Sequence, residues 1–226
     1  MLNKQYSDLA ELIDKTKGDK LLIESSLKEK EILLAEIQHR VKNNLSVIIA
    51  LFNFQKDSTD NEEIKIALNE AKNRVLSIAM VHDQLYKKGN LSQINLENYL
   101  SDLIPEVLRS HPLYSNIIVK KQLIPVHLDI TKTIPVGLII NEILTNSFKH
   151  GFKGIDKTPE IELTLLKSDN FISIKMKDNG IGFPDSFEKN KNSLGISLIE
   201  SLTEQINGKV TLSNNNGAQV EFSFPQ

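Results

Sequence analysis

Four short stretches of this sequence gather side chains able to do chemistry: Glu36 to Phe54 (EIQHRVKNNLSVIIALFNF), Leu138 to His150 (LIINEILTNSFKH), Asp178 to Pro184 (DNGIGFP) and Ser193 to Ile199 (SLGISLI). In the first, helical stepping of about 100° per residue puts Ile37, Val41, Leu45, Ile48 and Phe52 on one stripe and collects His39, Lys42, Asn43 and Ser46 on the opposite side. An imidazole held toward solvent, with an ordinary pKa near 6.5, keeps a nucleophilic neutral fraction at physiological pH. The plain alternative is a solvated helix face that happens to carry a histidine.

The second stretch gathers Asn141, Glu142, Thr145, Asn146, Lys149 and His150 on one half of a helix, with Ile140, Ile143, Leu144 and Phe148 on the other. One carboxylate, two amides, a lysine and a histidine can offer oxygen to a hard cation and positive charge to phosphates. In the third, an Asp at a strand end can accept hydrogen bonds from an exocyclic amine, and Gly180 and Gly182 let backbone approach a ligand. A β-turn alone also explains Asp-Asn-Gly. In the fourth, Gly195 stands at the mouth of a helix, where backbone N–H groups and the helix dipole suit phosphate.

The elements that must position these residues are legible in outline. Residues 1–27 are polar, with a broken helical pattern of leucines interrupted by Gly18, and read equally as a signalling or linker helix or as a frayed solvated helix. Residues 28–89 read as an antiparallel helical hairpin: one helix runs to Gln55, and a second, capped from Ser58, Thr59 or Asp60, carries Ile64, Leu68, Ala71, Val75, Ile78, His82 and Leu85 up to a stop at Lys87-Lys88-Gly89-Asn90. His82 falls near the apolar side and is expected to pack there. Stripes this wide need more cover than one partner helix, so a dimeric four-helix bundle is expected. A domain boundary is placed near residue 90.

Residues 90–226 read as an α/β sandwich with one mixed sheet. Helices are expected at Leu96–Arg109, Ile134–His150 and Leu194–Asn207, strands at Ile117–Val126, Ile161–Leu166 and Phe171–Lys177, and a closing hairpin of Lys209–Ser213 and Gln219–Phe224. The 226 residues carry 27 basic and 29 acidic side chains, a balance that gives no electrostatic footprint for nucleic acid or an anionic membrane. Without cysteine, disulfides, thiolate metal sites and cysteine nucleophiles are excluded. Apolar runs such as Ile134 to Ile140 fall far below the ~20 residues of a membrane span. The N-terminus lacks the apolar core of a signal peptide, and a cytoplasmic chain is expected.

With NE..TN..KH, then DNGIGFP, then SLGISLIESL, in that order, the sequence resembles the GHKL superfamily of ATPases and, within it, sensor histidine kinases. QHRVKNNLSVIIALFNFQ is similar to the phosphoacceptor helix of the second HisKA-type subfamily, related to the HWE kinases, in which His is followed by Arg-x-Lys-Asn. The matches span roughly residues 30 to 226. The resemblance implies that His39 accepts the γ-phosphoryl group of ATP, that Asn146 holds Mg²⁺ and that Glu142 orients the metal's water or a reacting group. It further implies that Asn141, Lys149 and His150 line the phosphate side, that Asp178 reads the adenine amine, and that Gly180 and Gly182 shape the adenine end. Gly195 and its neighbours, Leu198 among them, would approach the phosphates beneath a lid formed by Pro184 to Ser193.

The implied protein is an ATP-dependent histidine kinase that acts as a homodimer, answers to an upstream sensor domain or protein, and passes its phosphoryl group to an aspartate of a response regulator receiver. Many kinases of the larger subfamily have an acidic residue directly after the phosphoacceptor; here Arg40 stands there, which cannot act as a base. Arg40 is instead a candidate phosphate contact, Glu36 a candidate to orient the ring, and Asn43 a candidate to position a hydrolytic water. Competing readings are a GHKL ATPase used as a conformational clamp, a serine kinase of the anti-sigma type, and a non-catalytic scaffold. The exposed HRVKN motif argues against the first, the long hairpin against the second, and Glu142, Asn146 and Asp178 against the third.

Overall fold

The computed structural model of the chain describes residues 2–87, 93–111, 116–184 and 194–226. A helical N-terminal part precedes a mixed α/β sheet domain. Helix α1, Leu2–Asp57, runs unbroken for 56 residues, about 84 Å at 1.5 Å per residue. The interruption expected at Gly18 does not occur: an exposed glycine costs a helix only about 1 kcal/mol relative to alanine, and one such site does not end a helix with turns on both sides. Helix α2, Glu62–Lys87, returns antiparallel to it. Its cap is not Ser58, Thr59 or Asp60 but Asn61, whose Oδ1 accepts the N–H groups of Glu63 at 2.9 Å and Ile64 at 3.2 Å. The expected stop beyond Lys87 and the boundary near residue 90 lie outside the described residues.

Two contacts fix the register of the hairpin around the motif histidine: Lys42 pairs with Asp83, and Gln38 meets the His82 ring. His82 is buried, as its stripe predicted. The other sides of both helices carry exposed apolar side chains, among them Ile48, Leu51, Phe54, Ile64 and Ile66. No helix among the described residues is long and apolar enough to cross a membrane.

The short strand β1 (Ile94–Asn95), which the sequence did not announce, pairs antiparallel with β3 (His127–Leu128). Helix α3 occupies Leu96–Arg109, as expected, with Asn95 as its cap. The strand expected over Ile117–Val126 is shorter, β2 at Ile118–Gln122. Helix α4, Ile130–Asn146, begins a turn earlier than expected because Asp129 accepts the Lys132 N–H, and at Ser147–Gly151 it widens into one π-helical turn. Strands β4 (Glu160–Ser168) and β5 (Phe171–Asp178), helix α5 (Leu194–Gln205) and the hairpin β6 (Lys209–Asn214) and β7 (Ala218–Pro225) complete the chain.

The main sheet has the order β2-β4-β5-β7-β6, with β2 parallel to β4 and every other pair antiparallel. Side chains alternate across a strand, so Ile172, Ile174 and Met176 of β5 face the helical layer beside Ile161, Leu163 and Leu165 of β4 and Val220, Phe222 and Phe224 of β7. α4 and α5 close that face with Ile139, Ile140, Leu144, Ile196 and Ile199. The same alternation carries Asp178, two residues beyond Met176, onto the inward side. The core also takes in Val81 and Leu85 of α2, so the hairpin's second helix is packed on the sheet domain rather than hanging from it.

Candidate functional site

Asp178 ends its strand with its carboxylate buried and held on three sides. Oδ1 accepts the backbone N–H of Gly180 at 2.9 Å and of Ala218 at 3.0 Å, and Oδ2 accepts the Ser147 hydroxyl at 2.7 Å. The first bond comes from its own turn, the second from β7, the third from the π-turn that ends α4. Gly217 makes the second possible: at φ +139° it lets β7 pass so close that a Cβ there would lie 2.0 Å from the Asp178 carbonyl oxygen. The acceptor is therefore fixed in position, with one direction of approach leading from the space that it lines.

That direction is a cavity of about 700 Å³, within the range that holds a drug-sized molecule. α4 and its π-turn supply Glu142, Thr145, Asn146, Lys149 and His150 to the wall, β5 supplies Asp178, and the following loop supplies Ile181, Gly182 and Phe183. The first turn of α5 supplies Gly195, and a Cβ there would stand 3.3 Å from Glu142 Oε2 and 3.5 Å from Asn146 Nδ2. The mouth of α5 is thus pressed against the one carboxylate and the one amide best suited to a hard cation. Among the described residues no cluster of three or more His, Asp or Glu forms an all-protein metal cage, so the donors available are Asn146 and Glu142 together with whatever oxygens a ligand brings.

Several expected residues stand elsewhere. Asn141 is 1% exposed and off the cavity wall, and neither of its amide atoms has a hydrogen-bond partner among the described residues. The helical wheel grouped it with Glu142, but other elements cover that edge of α4. Gly180 packs its backbone on Gly151, where a Cβ would come within 2.2 Å of the carbonyl oxygen, and serves Asp178 through its N–H. Leu198 packs against the core. His150 stands at an exposed rim, and burial of part of its ring, with the Lys149 and Lys153 cations nearby, lowers its pKa from the usual value. Of the expected lid, Pro184 lines the cavity and the remainder lies outside the described residues.

The site also contains residues with no sequence signal. α2 reaches into the wall with Glu70 and Arg74. Arg74 grips Glu142 with two parallel bonds, Nε to Oε1 at 2.6 Å and Nη2 to Oε2 at 3.0 Å, and Lys149 pairs with Glu70. The hydrogen bond to Glu142 raises the Arg74 pKa above its already high ordinary value. An arginine beside Val75 in an amphipathic helix gives no hint of this from spacing alone.

His39 lies on α1, exposed, with Asn43 Nδ2 3.4 Å from its Nδ1. The Glu36 carboxylate accepts Arg40 Nε at 2.7 Å, a bond that also occupies Arg40 and that, with a lesser contribution from the His39 ring, lowers the Glu36 pKa. His39 is outside the cavity wall. Its neighbour Gln38 meets His82, which lies eight residues beyond Arg74 on α2, or about 12 Å along the axis.

Residues 36–111 match the family model described as histidine kinase, HisKA_2, and residues 131–226 match the histidine kinase-, DNA gyrase B- and HSP90-like ATPase family. Over 204 residues the chain is 28% identical to the sensor histidine kinase PdtaS of Mycolicibacterium smegmatis, covering 88% of this chain and 41% of that one. The PdtaS of Mycobacterium tuberculosis is likewise 28% identical, with 40% of its length covered. The chain therefore spans about two fifths of the length of these curated relatives. The histidine kinase domain of the blue-light-activated kinase EL346 from Erythrobacter litoralis shares the fold, with a TM-score of 0.63 and 22% identity over 88% of this chain and 95% of that domain.

Proposed function

The chain belongs to the histidine kinases, with a GHKL-type ATPase domain behind its helical segment, and we propose that it phosphorylates its own His39 from Mg·ATP and hands the phosphoryl group to an aspartate of a response regulator receiver. The observation that carries this reading is the convergence of Asp178, Asn146, Glu142 and Gly195 on one cavity, in a chain whose preceding hairpin displays His39.

When bound, Mg·ATP supplies an electrophilic γ-phosphorus and partial neutralisation of the phosphate charge. Asp178, fixed by two backbone N–H groups and a hydroxyl, accepts the adenine amine. Asn146 would hold the cation through its side-chain oxygen, and Glu142 would help to orient a reacting group. Lys149 and His150 flank the phosphates, and Gly195 admits them to the mouth of α5. The neutral His39 ring attacks through one nitrogen: an N–P bond forms, the bond to the ADP oxygen breaks, and the other ring nitrogen carries the proton. Arg40 contributes a phosphate contact once it leaves Glu36.

His39 is not among the residues that line the cavity of its own chain, so reaching that cavity takes a movement. The alternative is the cavity of a second copy, and the exposed apolar sides of α1 and α2 support a homodimer that buries them as a four-helix bundle. Mixing a His39→Gln protomer with an Asn146→Ala protomer distinguishes the two: restored labelling means transfer between protomers. A cytoplasmic location, an upstream sensor and a division of the chain near residue 90 belong to the same reading.

Its test is label incorporation from γ-labelled ATP with Mg²⁺ in the wild type and in Asn146→Ala. Label in the first and its loss in the second is the expected result. Hydrolysis of ATP with no label on the protein in either would replace the kinase with a conformational ATPase.

A further inference from the structure

Two ion pairs cross between α2 and α4 along the cavity wall, and each draws its cation from the opposite side: Arg74 of α2 on Glu142, and Lys149 of the π-turn on Glu70 of α2. All four side chains line the cavity. In this arrangement the wall is close to electrically neutral, so a polyphosphate arriving there meets two cations already satisfied by carboxylates. Glu142 is almost fully buried, whereas Arg74 keeps 29% of its side chain exposed and, among the described residues, donates through Nε and Nη2. A guanidinium has five N–H donors in a planar fork, so Arg74 retains the Nη1 donors while holding Glu142.

We propose that Arg74 is a phosphate-binding residue that the phosphoacceptor hairpin contributes to the ATP site, and that it exchanges part of its hold on Glu142 for the terminal phosphate. The inference rests on the ATP reading above. Its physical basis is a competition between two anions for one fork: a carboxylate with one charge against a terminal phosphate with more charge and three acceptor oxygens. A diphosphate ends one phosphoryl group short and leaves Arg74 on Glu142. The exchange loosens the grip of α2 on α4; beside it, α2 meets α3 and its C-cap through further polar contacts, Asn73 Nδ2 donating to Ser110 Oγ at 2.8 Å and the Tyr99 hydroxyl to the Ser77 carbonyl at 3.0 Å. Polar interfaces within a chain are the ones that separate. Occupancy by a triphosphate is thereby coupled to release of the helix that carries the register of His39.

The test is calorimetric binding of Mg·ADP and of a Mg-bound non-hydrolysable ATP analogue, read as the ratio of the two affinities in the full chain. Arg74→Ala is expected to weaken the triphosphate analogue about tenfold or more while changing ADP less than about threefold; Arg74→Lys, which keeps the charge and loses the fork, falls between. Removing Arg74 leaves Glu142 buried and unpaired, so the same ratio is also measured in Glu142→Gln and in Arg74→Ala/Glu142→Gln. The single amide variant frees Arg74 and is expected to keep or raise the preference for the triphosphate, and the double variant to lose it. Equal losses for the two nucleotides, or a double variant with the ratio of Glu142→Gln, would overturn the role of Arg74. A wild type that binds neither nucleotide would overturn the ATP reading itself.

Discussion

Replacing Asp178 by Asn separates what this residue does for the fold from what it does for a ligand. Asp178 accepts three hydrogen bonds within the protein. The amide oxygen of Asn can keep the N–H groups of Gly180 and Ala218, and the Ser147 hydroxyl can rotate to accept from the new NH₂. All three bonds survive as neutral ones, roughly half as strong as their charge-assisted forms, so the expected loss of stability is about 1–2 kcal/mol. The cavity side changes more: where an acceptor faced the exocyclic amine of adenine, a donor now does, leaving donor against donor in a desolvated site. Such a mismatch costs about 2–3 kcal/mol, or roughly 30- to 150-fold in Kd. Guanine carries a carbonyl at the same place, so the wild type should reject GDP and the variant should narrow the ADP-to-GDP ratio. Calorimetry with both nucleotides, beside urea unfolding of the two proteins, reads every quantity. An ADP affinity unchanged within threefold, in a variant that loses only stability, would refute the assignment of Asp178 to the base.

Gly137→Ala should destabilise the chain by about 3 kcal/mol or more, because the added Cβ would lie 1.9 Å from the hydroxyl oxygen of the fully buried Tyr99; chemical denaturation should show Tyr99→Phe, itself costing about 1 kcal/mol, rescuing part of that loss, and simple additivity would contradict the contact. Burial holds His82, His111 and His150 below the ordinary histidine pKa. The unfolded chain therefore takes up protons below about pH 6.5 that the folded chain refuses. Stability is complete above that pH and falls as pH drops through the window, so the urea midpoint should be lower at pH 5.5 than at pH 7.5, and an unchanged or higher midpoint at pH 5.5 would contradict this. Arg40→Ala should leave the unfolding midpoint in place, since its pair with Glu36 is solvated, while slowing autophosphorylation at saturating ATP; an unchanged rate would remove Arg40 from the phosphate site.

The sequence disclosed most where a period and a chemical group coincide. Asp178 follows Ile172, Ile174 and Met176 at a spacing of two, so its inward direction is legible in the alternation alone, and the helix expected at Leu96–Arg109 has those bounds in the structure. Periodicity failed where a neighbour outside the local window decides. Asn141 and Glu142 share a wheel sector with Asn146, yet one is sealed away and the other is claimed by Arg74, because α2 comes to lie on α4. No spacing within either helix encodes that encounter. The cap of α2 fell to Asn61 rather than three nearby candidates, a choice that turns on the backbone path of one short turn. Gly18 misled because a breaker's cost was weighed without the long helix around it.

The central claim is that His39 carries the phosphoryl group, and it is tested most directly by incubating the purified protein with γ-labelled ATP and Mg²⁺ beside His39→Gln, scoring label that survives base and is lost in acid. The account predicts acid-labile label in the wild type and none in the variant, with ADP affinity alike in both because His39 lies outside the cavity wall. Acid-labile label of equal extent in His39→Gln would contradict it.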